Sequence, residues 1–317
     1  MSTEWHRAIE LHKRVKGKVT VYPSSRLRTT DDLACNYFPG SLAVANIIDK
    51  DQDASFEYTG RGNCIFVVSN GSSILNFEEP NPYAVLPILE GKCLIYKTFG
   101  DINAFPVCLE AKSAEEIVQM CRFITPTVGG LNLSNITSVT SFRILEELQS
   151  TLDIPVFSDD HYGIAVALLG ALKNALIVVG KRLQDIKITI WGAGKAGIST
   201  ARLLLDAGAR QIVMVNSHGI LTPANPFMNQ EQAKLAERLG IDADYQDLKL
   251  AMSNADVFIG LSAKDALDPD YIKLMNKEPI VFSMAMPEPE ISPALAKEIG
   301  AAIVASSQFW TATINPI

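Results

Sequence analysis

The segment KITIWGAGKAGISTARLLLDAGARQIVMVN, Lys187 to Asn216, restricts the fold of this chain more than any other stretch. A short β-branched run, Lys187 to Trp191, leads into three glycines. A stretch of helical periodicity, Ala196 to Gly208, then leads into a second apolar run, Gln211 to Asn216. Patterns joined in this order predict a strand, a helix and a parallel strand. Gly192, Gly194 and Gly197 satisfy the spacing G-x-G-x-x-G between the first strand and the helix. The first permits a tight turn, the second lets a pyrophosphate approach the backbone, and the third lets the helix pack close to the strand. Free N–H groups at the helix start then hold the phosphates. The expected dinucleotide site is therefore Gly192, Ala193, Gly194, Lys195, Ala196 and Gly197.

The second strand ends on Asn216, about where the ribose-reading residue of such a unit belongs. An acidic residue there would select NAD by repelling the 2′-phosphate of NADP. Asn216 removes that repulsion, and Ser217 and His218 can donate to a phosphate, yet no arginine follows. NAD and NADP both stay open. Ser262 and Asn174 complete the expected cofactor contacts.

Strand and helix patterns keep alternating downstream. ADVFIG, PIVFSM and AAIVAS are short apolar runs of the kind buried on both faces of a parallel sheet, while NQEQAKLAERLG and DPDYIKLMN read as amphipathic helices. The fold class is α/β, with residues 156–317 forming a Rossmann-type doubly wound parallel sheet. Residues 1–155 form a second, N-terminal α/β domain of less regular texture. It opens with a helix over Glu4 to Lys13, and CIFVVSNG and KCLIYKTF read as strands. SAEEIVQMCRFITP starts a helix at Ser113, with Glu116 at the spacing of a capping box.

Among the 317 residues the formal net charge is -7, so the chain lacks the basic footprint that nucleic-acid binding requires. The five cysteines form no C-x-x-C pair and read as reduced, mostly buried thiols of a cytoplasmic protein. Gly163 to Gly180 approaches the length of a membrane span, but Lys173 and Asn174 sit in its middle. A buried helix is expected there, not a membrane segment.

Several segments, in one colinear order, resemble the malic enzyme family. YFPGS (Tyr37 to Ser41) is similar to the family's YTPGV, VGGLNL (Val128 to Leu133) to FGGINLED, and SMAMPEPEI (Ser283 to Ile291) to ALANPTPEI. LPILEGKCLIYKTFGDINAFPV (Leu86 to Val107) and IPVFSDDHYGIAVALLGALKNAL (Ile154 to Leu176) resemble the longest family segments. The resemblance implies oxidation of malate with NAD(P), followed by decarboxylation assisted by Mg²⁺ or Mn²⁺. Tyr37 would be the general acid that protonates the enol, Lys92 the base that takes the hydroxyl proton, Asp159 a support for that lysine and Asp160 a metal ligand. A small carboxylic acid substrate and a homodimer follow by the same resemblance.

The departures fall at the chemistry. Ser134-Asn135 stand where the family has its metal-binding Glu-Asp, so only Asp160 remains of three carboxylates and tight metal binding is not expected. NFEEPNP (Asn76 to Pro82) replaces a glycine-rich segment, Met286 replaces a substrate-contacting Asn, and Ile164 a Thr near the cofactor. Near the carboxy terminus Asn315 matches one family Asn, while Pro316 stands at the next. Three functions fit this pattern. The first is an NAD(P)-dependent oxidoreductase of malic-enzyme type acting on malate or a related 2-hydroxy acid, with or without decarboxylation. The second is a non-redox acid/base enzyme on a keto acid, and the third a non-catalytic dinucleotide-binding regulatory relative.

Overall fold

A computed structural model describes residues 3–74 and 77–307. The carboxy-terminal Asn315 and Pro316 lie outside the described residues, as does Asn76. The chain divides into two compact units, Met1–Ser158 and Asp159–Ile317. The division falls beyond residue 155 because Val156 and Phe157 pair with a strand of the first unit.

The first unit runs α1 (Thr3–Val15), α2 (Thr30–Asn36), α3 (Gly40–Lys50), α4 (Ser55–Tyr58), β1 (Cys64–Ser69), α5 (Pro82–Gly100), β2 (Asn103–Cys108), α6 (Ala114–Ile124), β3 (Gly130–Leu133), α7 (Ser138–Thr151) and β4 (Val156–Phe157). Its four strands form a parallel sheet in the order β2-β1-β3-β4. Pro106 lies on β2, an edge strand, where its missing N–H leaves no gap in the ladder. Ser113 and Glu116 cap α6 reciprocally, as expected.

KCLIYKTF is not a strand: it is the second half of α5. The helix starts upstream, where Asn81 accepts a hydrogen bond from the Ala84 amide and Pro82 occupies the first turn. Val85, Leu89 and Cys93 recur every four residues and are buried against Val67 and Ala104, so the apolar run is one helical stripe. Burying each aliphatic side chain contributes about 1.5–3 kcal/mol at most.

The second unit runs α8 (Asp159–Val178), β5 (Lys187–Trp191), α9 (Lys195–Asp206), β6 (Gln211–Asn216), β7 (Gly219–Ile220), α10 (Gln230–Leu239), α11 (Leu248–Met252), β8 (Val257–Gly260), β9 (Ile280–Ser283), α12 (Pro293–Ile299) and β10 (Ile303–Ser306). The sheet order is β10-β9-β8-β5-β6-β7, parallel except for β7, which folds back antiparallel on β6. This is a Rossmann-type arrangement, with the order reversing beside β5, where such sheets open a ligand crevice at their carboxyl ends. β8 and β9 are buried throughout, as their unbroken apolar runs foretold.

Three expectations need correction here. DPDYIKLMN forms a short 3-10 helix, Pro269–Leu274, because Asp268 caps a tight turn opened by Pro269. α8 is long and apolar enough by composition to cross a membrane, yet it is not buried all round. His161, Ala165, Leu168, Leu172, Ala175 and Leu176 form its buried stripe, and it packs on α9, while Val166, Ile177 and Val178 are exposed. Of the five free cysteines only Cys93 and Cys121 are buried.

Candidate active site

In the first unit, the core stripe of α5 fixes the backbone on which Lys92 stands half-buried. Its Nζ donates to Oγ of Ser134 at 2.5 Å, and Ser134 is 1% exposed. Ser134 follows β3, and its own N–H extends the ladder to the Val68 carbonyl. The Ser134 hydroxyl in turn donates to Oδ1 of Asn135 at 2.9 Å. Asn135 adopts a left-handed backbone (φ 52°), and its Nδ2 donates to the Ser73 carbonyl while its own carbonyl accepts from the Ser73 amide and Ser69 hydroxyl. A lysine, a serine and an asparagine thus form a chain anchored to the turn after β1. Burial, with the charge of Glu90 adding to it, pushes the adjacent Cys93 thiol up to about 12, so it is no nucleophile at neutral pH.

Tyr37 lies at the end of α2, 72% exposed, and makes no hydrogen bond to Lys92 among the described residues. The replaced segment carries Glu78 and Glu79 on the surface.

In the second unit the three glycines have three separate reasons to be there. Gly192 has a positive φ of 122°, and a Cβ on it would stand 2.2 Å from the Leu261 carbonyl oxygen. A Cβ on Gly197 would stand 1.8 Å from the Gly192 carbonyl oxygen, which is the close helix–strand approach inferred from the spacing. Gly194 is different: a Cβ there meets nothing within 4 Å, so the space it leaves open faces outward at the start of α9, where no side chain caps the helix. That opening suits a pyrophosphate lying on the backbone amides.

The neighbouring elements brace this loop. Nε2 of Gln232, the third residue of α10, donates to the Ala193 carbonyl at 2.9 Å. Gln232 Oε1 accepts from the Asn229 amide, closing a capping box, and from Nδ2 of Asn216 at 3.4 Å. Asn216 also donates to the Phe227 carbonyl and accepts from the His218 amide, so its side chain is engaged inward. Ser217 and His218 remain exposed, with His218 stacked on Phe227 at 4.6 Å. Ser262, after β8, donates through its amide (2.7 Å) and hydroxyl (3.3 Å) to Glu290. Asn174 is exposed and donates to the Gly170 carbonyl of its own helix.

Glu290 is not among the site residues expected from the sequence. It is 0% exposed, and it joins the ends of β8 and β9 by accepting also from the Ala285 amide at 3.0 Å. Burial raises its carboxyl pKa, and the Ser262 and Ala285 amides oppose that shift. An acid among prolines just after a buried strand was the available signal.

Asp159 and Asp160 begin α8, both half-buried. Asp160 Oδ2 pairs with Nζ of Lys195 at 3.1 Å, the two side chains being 20% and 15% exposed. His161 follows, 1% exposed, its pKa lowered to about 4 by burial and then by the charge of Lys195. Lys195, expected from the sequence within the dinucleotide site, therefore binds a carboxylate.

Residues 17–149 match the family model of the malic enzyme N-terminal domain, and residues 162–308 match that of the malic enzyme NAD binding domain. The bifunctional malic/malolactic enzyme of Bacillus subtilis is 37% identical over 302 residues, 95% of this chain and 74% of that protein. The chain belongs to the malic enzyme family. Another malic enzyme, the NAD-dependent one of Geobacillus stearothermophilus, is 41% identical over 287 residues, and the match spans 59% of its length. Among solved malic enzymes, the crystal structure from Thermotoga maritima superposes with a TM-score of 0.92 at 37% identity, covering 96% of this chain and 81% of that one. The Pyrococcus horikoshii malic enzyme gives 0.93 at 36% identity, covering 99% and 76%.

The divalent ion implied by the family fits these residues poorly. Ser134 and Asn135 are neutral and hydrogen-bonded to each other, and Asp160 is paired with an ammonium. Among the described residues no group of three or more His, Cys, Asp or Glu is placed to hold a metal. Hard divalent cations want several anionic oxygens.

Proposed function

We propose that this chain is an NAD(P)-dependent oxidoreductase that oxidises malate or a related 2-hydroxy acid. The observation that carries the reading is Lys92, half-buried and held by the Ser134 hydroxyl in a chain of the malic enzyme family. A bound nicotinamide supplies the hydride acceptor. Gly192, Ala193, Gly194, Lys195, Ala196 and Gly197 would hold its dinucleotide, with Asn216, Ser217, Ser262 and Asn174 as further contacts, and either NAD or NADP as the cofactor.

Lys92, in its neutral form, takes the proton from the C2 hydroxyl of the acid as the C2–H bond breaks toward the acceptor, leaving a carbonyl. Ser134 Oγ accepts from Lys92 Nζ and so fixes where that nitrogen stands. By the family resemblance, Asp159 is the carboxylate that would support the lysine. Where carbon dioxide then leaves, Tyr37 returns a proton to the carbon it left. The neutral Ser134-Asn135 pair favours a second reading of the product, in which the 2-oxo acid is released without decarboxylation.

The same reading gives a homodimer in the cytoplasm, with no nucleic acid or membrane as partner. Two features support it. Helices α2, α3 and α4 contain no buried residue, yet Tyr22, Leu33, Phe38, Leu42 and Ile47 are exposed there and nearby. The five cysteines are free.

The test is reduced-nicotinamide formation by the purified protein with L-malate and other 2-hydroxy acids, with NAD⁺ and with NADP⁺, while carbon dioxide is followed. Turnover is expected, and Lys92→Ala should lower kcat by roughly 10²–10⁴-fold while dinucleotide binding persists. No reduction with any acid, despite cofactor binding, would move the assignment to a non-redox acid/base enzyme or a regulatory relative.

A further inference from the structure

The carboxylate that ought to hold a metal already holds a cation. Asp160 stands in the first turn of α8 and Lys195 in the first turn of α9, two helices that pack on each other. Side chains in a helix point back over the preceding turn. A lysine immediately after Gly194 is thus aimed at the head of its own helix, and its ammonium meets Asp160 Oδ2 at 3.1 Å. Both groups are mostly withdrawn from solvent, at 15% and 20% exposure, so this is not a loose surface pair.

We infer that Lys195 is a built-in replacement for the divalent cation at Asp160, giving the chain a fixed monovalent charge in place of an exchangeable metal. The inference rests on the proposed reading in one respect, namely that Asp160 would otherwise be a metal ligand. Two observations lead to it independently. Asp160 is paired with a cation, and Ser134 and Asn135 offer neutral oxygens that are committed to one another and to Lys92. A divalent ion arriving at Asp160 would have to displace the ammonium and leave it without that carboxylate.

The exchange has chemical consequences. An ammonium offers hydrogen bonds and one positive charge, so it can hold a carboxylate or a pyrophosphate oxygen. It cannot gather the hydroxyl and carboxylate of one substrate into a chelate, as a divalent ion does. The ligand class is therefore an anionic oxygen group of the acid or of the dinucleotide, bound without metal.

Mn²⁺ binding decides the matter, followed by water-proton relaxation and by the Mn²⁺ electron paramagnetic resonance signal, with Mn²⁺ alone as the probe. The wild-type protein should show no saturable site that depends on Asp160, and NADH binding, read by fluorescence, should be the same in Mn²⁺ and in chelator. Lys195→Gln should tighten Mn²⁺ binding by roughly tenfold, and adding Asp160→Asn should abolish that gain. Saturable wild-type binding that Asp160→Asn removes would overturn the inference, and this comparison does not depend on the lysine variant folding. A folded Lys195→Gln protein with no gain in Mn²⁺ affinity would overturn it too. Turnover of malate is read separately. A metal-dependent malate oxidation with an Asp160-dependent Mn²⁺ site would leave the proposed function standing while this inference fell. Absence of turnover without such a site would do the reverse.

Discussion

Glu290 carries its charge where water does not reach, and its protonation is therefore coupled to folding. Burial raises its folded-state pKa above the ordinary value of 4.5. In the interval between that value and the raised one, the folded protein binds more protons than the unfolded chain, so stability falls as pH rises through it. A glutamine mimics the protonated acid in shape and charge. The stability advantage of wild type over Glu290→Gln should accordingly shrink as pH rises past the ordinary carboxyl range, measured by urea unfolding at a series of pH values. An advantage that grows with pH would mean that the Ser262 and Ala285 amides outweigh burial. At this scale the sequence was uneven. The glycines were legible because their type and spacing name a chemistry, and Lys92 is singled out only by family resemblance, whereas Glu290 and the Asp160–Lys195 pair depend on partners far off in the chain.

The glycine turn between β5 and α9 was read correctly as an element because local chemistry specifies it. Its three glycines are still not equivalent. At Gly197 an added methyl would meet the Gly192 carbonyl oxygen at 1.8 Å, and at Gly194 it would meet nothing within 4 Å. Gly197→Ala should destabilise the unit by about 1–3 kcal/mol, as overpacking does. Gly194→Ala should leave the melting temperature nearly unchanged and weaken dinucleotide binding by roughly tenfold or more. Thermal melts beside NADH titrations separate the two, and unimpaired binding by Gly194→Ala would remove the pyrophosphate from that opening. α5 was misread for the opposite reason. A short apolar run satisfies strand and helix alike, and the arbiter is a cap at Asn81, upstream of that run. The short strands β3 and β4 were missed because four and two residues carry too little pattern to register.

At the scale of the molecule, the Rossmann-type unit declared itself through alternation, while the first unit yielded mainly to family resemblance. Its amino-terminal third explains the difference. Helices α2 to α4 bury none of their own residues, so no inward-facing periodicity marks them. Apolar side chains displayed this way call for a covering surface, and in the proposed homodimer a second copy of the chain would supply it. Analytical ultracentrifugation should show a dimer. Replacing Leu42 and Ile47 on α3 by glutamate should shift the protein to monomer, with the fold of the second unit intact by NADH binding. A wild-type monomer at all concentrations would remove the dimer from the proposal.

One side chain, Gln232, serves two structures at once. Its amide nitrogen braces the carbonyl of Ala193, and its amide oxygen closes the cap of α10 while receiving Asn216. The start of α10 and the nucleotide loop are thus linked equilibria: whatever orders one raises the population of the other. A helix that touches no nucleotide would then report occupancy of the loop, its first turn exchanging amide hydrogens more slowly whenever the loop is filled.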